Sequence, residues 1–173
     1  MKAEHYVSDL EIALIRGVQA FGTGSLPDIA HAYSSWGEHS RGWLALGLAG
    51  AVADRDRRTV WLSVVGSAFT AHAAAVVLKR VVRRRRPFDP GVRILGRTPS
   101  DLSFPSAHAA STTASAVTLA PIVGAPAAVG LAAGMAGSRV MLGVHYPSDV
   151  AVGAAIGLAA GALGRRVAAR WTQ

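Results

Sequence analysis

The 173-residue chain has no cysteine, which excludes disulfide staples and thiolate metal sites. It is also short of charge. Only 16% of residues are Asp, Glu, Lys or Arg, against roughly 25% in a soluble globular domain. Too little polar surface is therefore available to cover such a domain in water. Acidic residues are the scarcest charge, ten against 18 Lys and Arg, and the net charge is +8. That balance points to an anionic partner such as lipid headgroups, a phosphorylated substrate or nucleic acid. The N-terminus MKAEHYVSDLEIALIRG lacks the basic start and unbroken apolar core of a secretory signal. No HExxH or acidic cluster calls for a metal.

What is present is apolar and small. Hydrophobic residues make up 51% of the chain and mean hydropathy is +0.32, with Ala and Gly dominating the apolar runs. Small residues allow helix backbones to approach closely, as in membrane bundles. Five apolar segments stand out: Gly42–Ala53, Val60–Leu78, Ala107–Val123, Ala125–Val144 and Pro147–Leu163. At 1.5 Å per residue, Val60–Leu78 reaches about 28 Å, close to the hydrocarbon thickness of a bilayer. Asp9–Phe21 has helical periodicity broken by charge, with Ser8 or Asp9 placed to cap it, and reads as an interfacial or packed amphipathic helix. Gly22–Arg41 reads as a polar connection with a short helix around Ile29–Ser34, and Trp36 and Trp43 suit an interface belt. The expected fold is an all-α polytopic transmembrane bundle, a single domain over 1–173, with five spans plus an N-terminal amphipathic or sixth helix.

If each apolar segment crosses once, Lys79, Arg86, Ser106, His108, Arg139, His145 and Asp149 gather at one end of the bundle. Lys79 and Arg86-Pro87 bracket a basic run of six cations in eight residues. A lysine and an arginine fork can clamp a phosphoryl group. The same run also fits a topology-setting flank, whereas nucleic-acid binding would call for interleaved aromatics that it lacks. Pro105-Ser106-Ala107-His108 opens a helix whose free N–H groups favour anions, with His108 positioned as a general acid. Read structurally, it is an ordinary capped helix with a packed histidine. Arg139 within an apolar helix is costly unless it serves a function. His145 falls in a break before Pro147, and Asp149 lies in the next first turn. A carboxylate beside an imidazole fixes its tautomer and leaves the other nitrogen free as a nucleophile. His72 reads as a packing residue, and His5, His31 and His39 belong to the polar N-terminal part. Arg80 and Arg83–Arg85 read as electrostatic guidance or topology determinants.

The ordered motifs K-x6-R-P (Lys79, Arg86, Pro87), P-S-x-H (Pro105 to His108) and S-R-x5-H-x3-D (Ser138 to Asp149) resemble those of the type 2 phosphatidic acid phosphatase (PAP2) superfamily. The resemblance implies a membrane helical bundle and a metal-independent, cofactor-free phosphatase. It implies that His145 attacks phosphorus, Asp149 orients it and His108 protonates the leaving oxygen. Lys79, Arg86, Ser106, Arg139 and the backbone at Ala107 would bind the phosphoryl group. The family usually has Gly where Ala107 stands, so a positive φ there would be strained.

The implied substrate is a lipid-linked phosphomonoester or diphosphate. Small size, Ala- and Arg-rich usage and a short first helix are similar to phosphatases of decaprenylphosphoryl-5-phosphoribose in cell-wall arabinan precursor synthesis. Undecaprenyl-diphosphate and phosphatidylglycerophosphate phosphatases are the alternatives within the family, and a non-catalytic basic scaffold is the alternative outside it. Ten cations fall on the site face and six on the other; less the three expected phosphate ligands, the positive-inside rule tips narrowly toward a cytoplasmic site in the cell membrane. No nucleic-acid partner is expected, and oligomeric state is not encoded legibly.

Overall fold

The computed structural model describes residues 2–171, with side chains from residue 9 to residue 171. Among the described residues there are seven α-helices and no strand. They are α1 (Lys2–Phe21), α2 (Leu26–Trp36), α3 (Arg41–Ala53), α4 (Arg58–Val82), α5 (Ala107–Val123), α6 (Ala125–Met141) and α7 (Pro147–Trp171). Helices α4 and α7 are long and apolar enough to cross a membrane.

Helix α5 is the axis of the bundle, with α4, α6 and α7 packed around it. Its sequence AHAASTTASAVTLAPIV is buried from Ala107 through Ala116, which small side chains make possible. Its hydroxyls turn inward to carbonyls of the preceding turn: Ser115 donates to Ser111 and Thr118 to Ala114. Such bonds let polar residues sit in an apolar interior. Helix α7 meets α5 along Gly153, Gly157 and Gly161. A Cβ on Gly153 or Gly157 would strike the Ser106 or Ala110 carbonyl oxygen, and one on Gly161 would lie 2.7 Å from Val117 Cβ. Spacing of four residues puts all three on one face, and this contact holds the first turns of α5 and α7 together.

Helix α1 lies across the end of the bundle that carries the motifs. Ile15 packs with Val92, Val140 and Val150, and Gln19 donates to the carbonyls of Arg93 and Met141. A packed amphipathic helix was expected here. It begins at Lys2, so neither Ser8 nor Asp9 caps it, and His5 and the Ser8 side chain lie outside the described side chains.

The supposed polar connection after α1 is largely helix. In α2, Ala30 packs on Leu142 and Val144, while one turn later the Tyr33 hydroxyl donates to Leu131. Thus α2 descends from the motif end into the bundle. It breaks at Gly37–Ser40, where a 3-10 turn carries His39 and Ser40 in left-handed backbone. Helix α3 then continues toward the opposite end. Trp43 belongs to this interior and not to an interface belt: it is 2% exposed and its indole N–H donates to Thr112 across 2.9 Å. Trp36, stacked edge-on against it at 6.2 Å, remains partly exposed. Two other boundaries move outward. Helix α4 runs on to Val82, and α7 continues through the basic tail to Trp171.

The 24 residues between α4 and α5 are ordered by pairing with themselves. Arg83 adopts φ 56° and closes α4 with its N–H on the Lys79 carbonyl. The chain then doubles back, with Ser103 N–H on Arg84 O at 2.7 Å and Arg86 N–H on Asp101 O at 3.1 Å. This ladder lifts Arg84 and Arg86 off the helix and turns both toward the bundle end.

Candidate active site

A cavity of about 470 Å³ opens at that end, lined by residues from α4, α5 and α6, the segment between α4 and α5, the turn between α6 and α7 and the break between α2 and α3. Lys79, Arg86, Ala107, His108, Arg139 and His145 all line it. These residues are far apart in sequence, and the ends of α4, α5 and α6, with the loop after α4 and the turn before α7, bring them together.

His145 is delivered by the turn between α6 and α7. Gly143 at φ 70° makes that turn possible, and any Cβ there would collide with the Arg93 carbonyl. The imidazole is 1% exposed. Its Nδ1 faces Asp149 Oδ2 at 3.5 Å, and its Nε2 lies 3.3 Å from Arg86 Nη1. Burial, together with the positive charges of Arg139 and Arg86, holds the His145 pKa well below its ordinary value. The ring is therefore neutral at neutral pH, with Nδ1 facing a carboxylate and Nε2 facing the cavity.

Asp149 is fully buried behind it and also accepts the Tyr146 amide at 2.9 Å. Arg86 is fixed by the carbonyls of Ser100 and Val144, and burial lowers its pKa to about 10, so it stays charged at neutral pH. Lys79 donates to the Leu102 and Ser103 carbonyls at 3.0 and 3.3 Å. Arg139 is 3% exposed and bonded to Ser34 of α2, with Nε unpartnered. Three cations therefore surround the free face of one neutral imidazole.

Ser106 is different. Its Oγ accepts the Ala109 amide as the cap of α5, its own N–H donates to the Asp149 carbonyl, and it does not line the cavity. Ala107 opens α5 without a positive φ, so the expected strain at that position does not arise.

The sequence profile of the PAP2 superfamily matches residues 60–173. The chain belongs to the PAP2 superfamily. A relative from Mycolicibacterium smegmatis, named decaprenylphosphoryl-5-phosphoribose phosphatase, is 55% identical over 146 residues, covering 83% of this chain and 81% of its own. A Mycobacterium tuberculosis protein of the same name is 55% identical over 72% of this chain and 70% of its own. Membership with such relatives makes the chain a PAP2 phosphatase. Two solved structures share the fold at 22% identity. Aquifex aeolicus LpxE has a TM-score of 0.77 over 91% of this chain and 95% of its own. A transmembrane PAP2 type phosphatidylglycerolphosphate phosphatase from Bacillus subtilis has 0.80 over 95% and 87%. The chain accordingly shares the all-helical fold of these two structures over most of its length.

Several residues of this PAP2 site escaped sequence reasoning. Arg84 is not free electrostatic guidance. It bonds Asp149 Oδ1 at 2.9 Å, Ser148 at 2.6 Å and Glu11 of α1 at 2.5 Å, with Tyr146 under its guanidinium at 3.9 Å. Glu11 also accepts the Ser148 amide at the start of α7. His72, read as a packing residue, lies beside the His39 ring and also lines the cavity. Glu38, in the break between α2 and α3, places Oε2 3.4 Å from His108 Nε2. Glu11 and Glu38 lie ahead of residue 60, outside the matched profile, and no spacing rule ties them to the motifs.

Proposed function

We propose that this PAP2 phosphatase removes phosphate from a lipid-linked phosphomonoester through a phosphohistidine on His145. The observation that carries the mechanism is the placement of His145 between Asp149 and Arg86. Asp149 holds the proton on Nδ1, so Nε2 attacks phosphorus as the P–O bond to the leaving group breaks. His108 gives its proton to the departing oxygen. Water then attacks the phosphohistidine, His108 takes its proton, and inorganic phosphate leaves as Nε2 is restored. Lys79, Arg86, Arg139 and the Ala107 amide at the α5 N-terminus hold the phosphoryl oxygens, and Ser106 supports that amide by capping the helix. These side chains supply the positive charge the transition state requires, and no metal or cofactor takes part.

The substrate is decaprenylphosphoryl-5-phosphoribose in cell-wall precursor synthesis, supported by 55% identity to relatives of that name. An undecaprenyl diphosphate or phosphatidylglycerophosphate is the alternative. The chain acts as one unit over 1–173 with the bilayer as its partner, and nucleic acid has no role. It crosses five times, α2 and α3 together forming the first crossing, while α1 lies in the interface. The site faces the cytoplasm, which puts the C-terminus on the far side. A C-terminal reporter active only inside the cell would reverse that orientation.

The deciding experiment is phosphate release by purified protein in EDTA across polyprenyl and glycerolipid phosphates, with His145→Ala alongside. EDTA-resistant release that His145→Ala abolishes is the expected result, with acid-labile phosphate on the protein during turnover. Release that persists in His145→Ala would overturn the mechanism.

A further inference from the structure

The cavity is not lined by cations alone. Beside Lys79, Arg86 and Arg139, its lining includes Glu38, His39 and His72 together with His108. Glu38 is the one carboxylate among the lining residues. Its Oε2 lies 3.4 Å from His108 Nε2 and its Oε1 lies 3.3 Å from His39 Nδ1. His39 in turn stacks near His72 with ring centroids 6.2 Å apart, and His72 Nδ1 is buried without a hydrogen-bond partner.

The backbone is built to put Glu38 there. Gly37 packs so tightly that a Cβ would lie 2.8 Å from Met135 Cε and 3.1 Å from His108 Cδ2. His39 and Ser40 both take positive φ, a costly conformation for non-glycine residues. The break between α2 and α3 thus inserts one acidic residue into an otherwise cationic pocket.

We infer that Glu38, with His39 and His72, forms a subsite for a polyhydroxylated leaving group, a sugar lying between the scissile phosphate and the lipid. The inference rests on the proposed roles of His108 and His145. If His108 protonates the leaving oxygen, whatever lies beside Nε2 is what the first atoms of the leaving group meet. Sugar hydroxyls can donate to the Glu38 carboxylate and exchange hydrogen bonds with the two imidazoles. A diphosphate substrate would instead press its departing phosphate against a carboxylate, and like charges in a half-buried pocket repel. A plain prenyl chain would desolvate Glu38 and return nothing. The cavity is also larger than a phosphate alone requires. A site built to bond hydroxyls rejects analogues that lack them far better than an apolar pocket rejects an extra group.

The test compares three substrates of equal prenyl length: prenylphosphoryl-5-phosphoribose, its 2-deoxyribose counterpart and the prenyl diphosphate. Wild type, Glu38→Gln and Glu38→Ala are assayed on each. Ratios of kcat/KM within one preparation cancel any misfolded fraction. Wild type is expected to favour the ribose substrate over the diphosphate by about tenfold or more. Glu38→Gln should shrink that preference about tenfold by relieving repulsion, and Glu38→Ala should erase the ribose-over-deoxyribose preference. Equal losses on all three substrates, or a wild type that does not discriminate, would overturn the subsite. Absence of His145-dependent release on any of them would instead remove the phosphatase reading beneath it.

Discussion

The Arg84 guanidinium and the Asp149 carboxylate form an ion pair 2.9 Å long behind the His145 ring. Asp149 uses its other oxygen toward His145 Nδ1, so one carboxylate joins the histidine to the loop that follows α4. Glu11 grips the same guanidinium from α1 at 2.5 Å. The helix lying across the bundle end is therefore linked to the imidazole through two ion pairs.

Removing Arg84 should disturb the reaction without touching the substrate. Arg84→Ala leaves a buried carboxylate without its cation, a loss on the order of 3 kcal/mol in stability. It should also lower kcat about 10- to 100-fold with little change in KM, since small misplacements of a nucleophile are costly. Arg84→Lys, which keeps the charge but not the fork, should recover part of the loss. A normal kcat in folded Arg84→Ala would remove the residue from the mechanism.

Arg86 and Arg85 are neighbours with opposite prospects. Arg86 is half-buried, fixed by two carbonyls and aimed at His145, whereas Arg85 is exposed. Arg86→Gln should lower kcat/KM about 100-fold or more, as loss of a preorganised charge donor does. Arg85→Gln should stay within about threefold, the scale of an exposed charge. Equal effects would favour a diffuse basic scaffold over a phosphate clamp, and parallel vesicle-binding assays would detect it.

The contrast between these arginines marks how far the sequence was legible. Apolar runs located α3 through α7 because helix formation in such a chain follows the local pattern. The three motifs located His108, His145, Asp149 and the cations because their spacing is local too. Arg84 looks like its neighbours in a run of four arginines, and only a left-handed residue at Arg83 and a chain reversal give it a distinct partner. Glu38 was hidden by the polar sequence around it, which disguised α2 as a connection. Trp43 was misread because an indole with a polar tip fits an interface as well as it fits Thr112. In each case the deciding partner lies at least 60 residues away.

The titration of His145 carries its own prediction. Burial and adjacent cations depress its pKa below the ordinary 6.5, and a depressed pKa extends the neutral form to lower pH. Its nucleophilic form should thus persist below pH 6.5 in the free enzyme. Histidine NMR, with the His145 resonance assigned by its loss in His145→Gln, should show the ring still neutral at that pH. The acid limb attributable to His145 then falls lower still. A ring half-protonated at or above 6.5 would mean that water or a counter-anion reaches it.

Gly157 tests whether the close contact of α5 and α7 sets the site. A Cβ there would collide with the Ala110 carbonyl and lie 2.7 Å from Thr113 Cβ. Both are backbone or short side-chain atoms, so neither can swing away. Gly157→Ala should cost about 1–3 kcal/mol, the usual scale for overpacking, seen as a lower thermal midpoint in detergent. The same wedge pushes the start of α7, with Asp149, away from Ser106, whose N–H donates to the Asp149 carbonyl at 2.9 Å. Activity in the folded fraction should therefore fall as well, although the substitution lies two turns from the cavity. Gly130→Ala provides the control, since nothing lies within 4 Å of a Cβ there: it should leave activity unchanged and raise the midpoint slightly if at all, as Ala does in place of a mid-helix Gly. Loss of stability with unchanged activity per folded molecule would show that the helix contact supports the bundle but does not align the histidine.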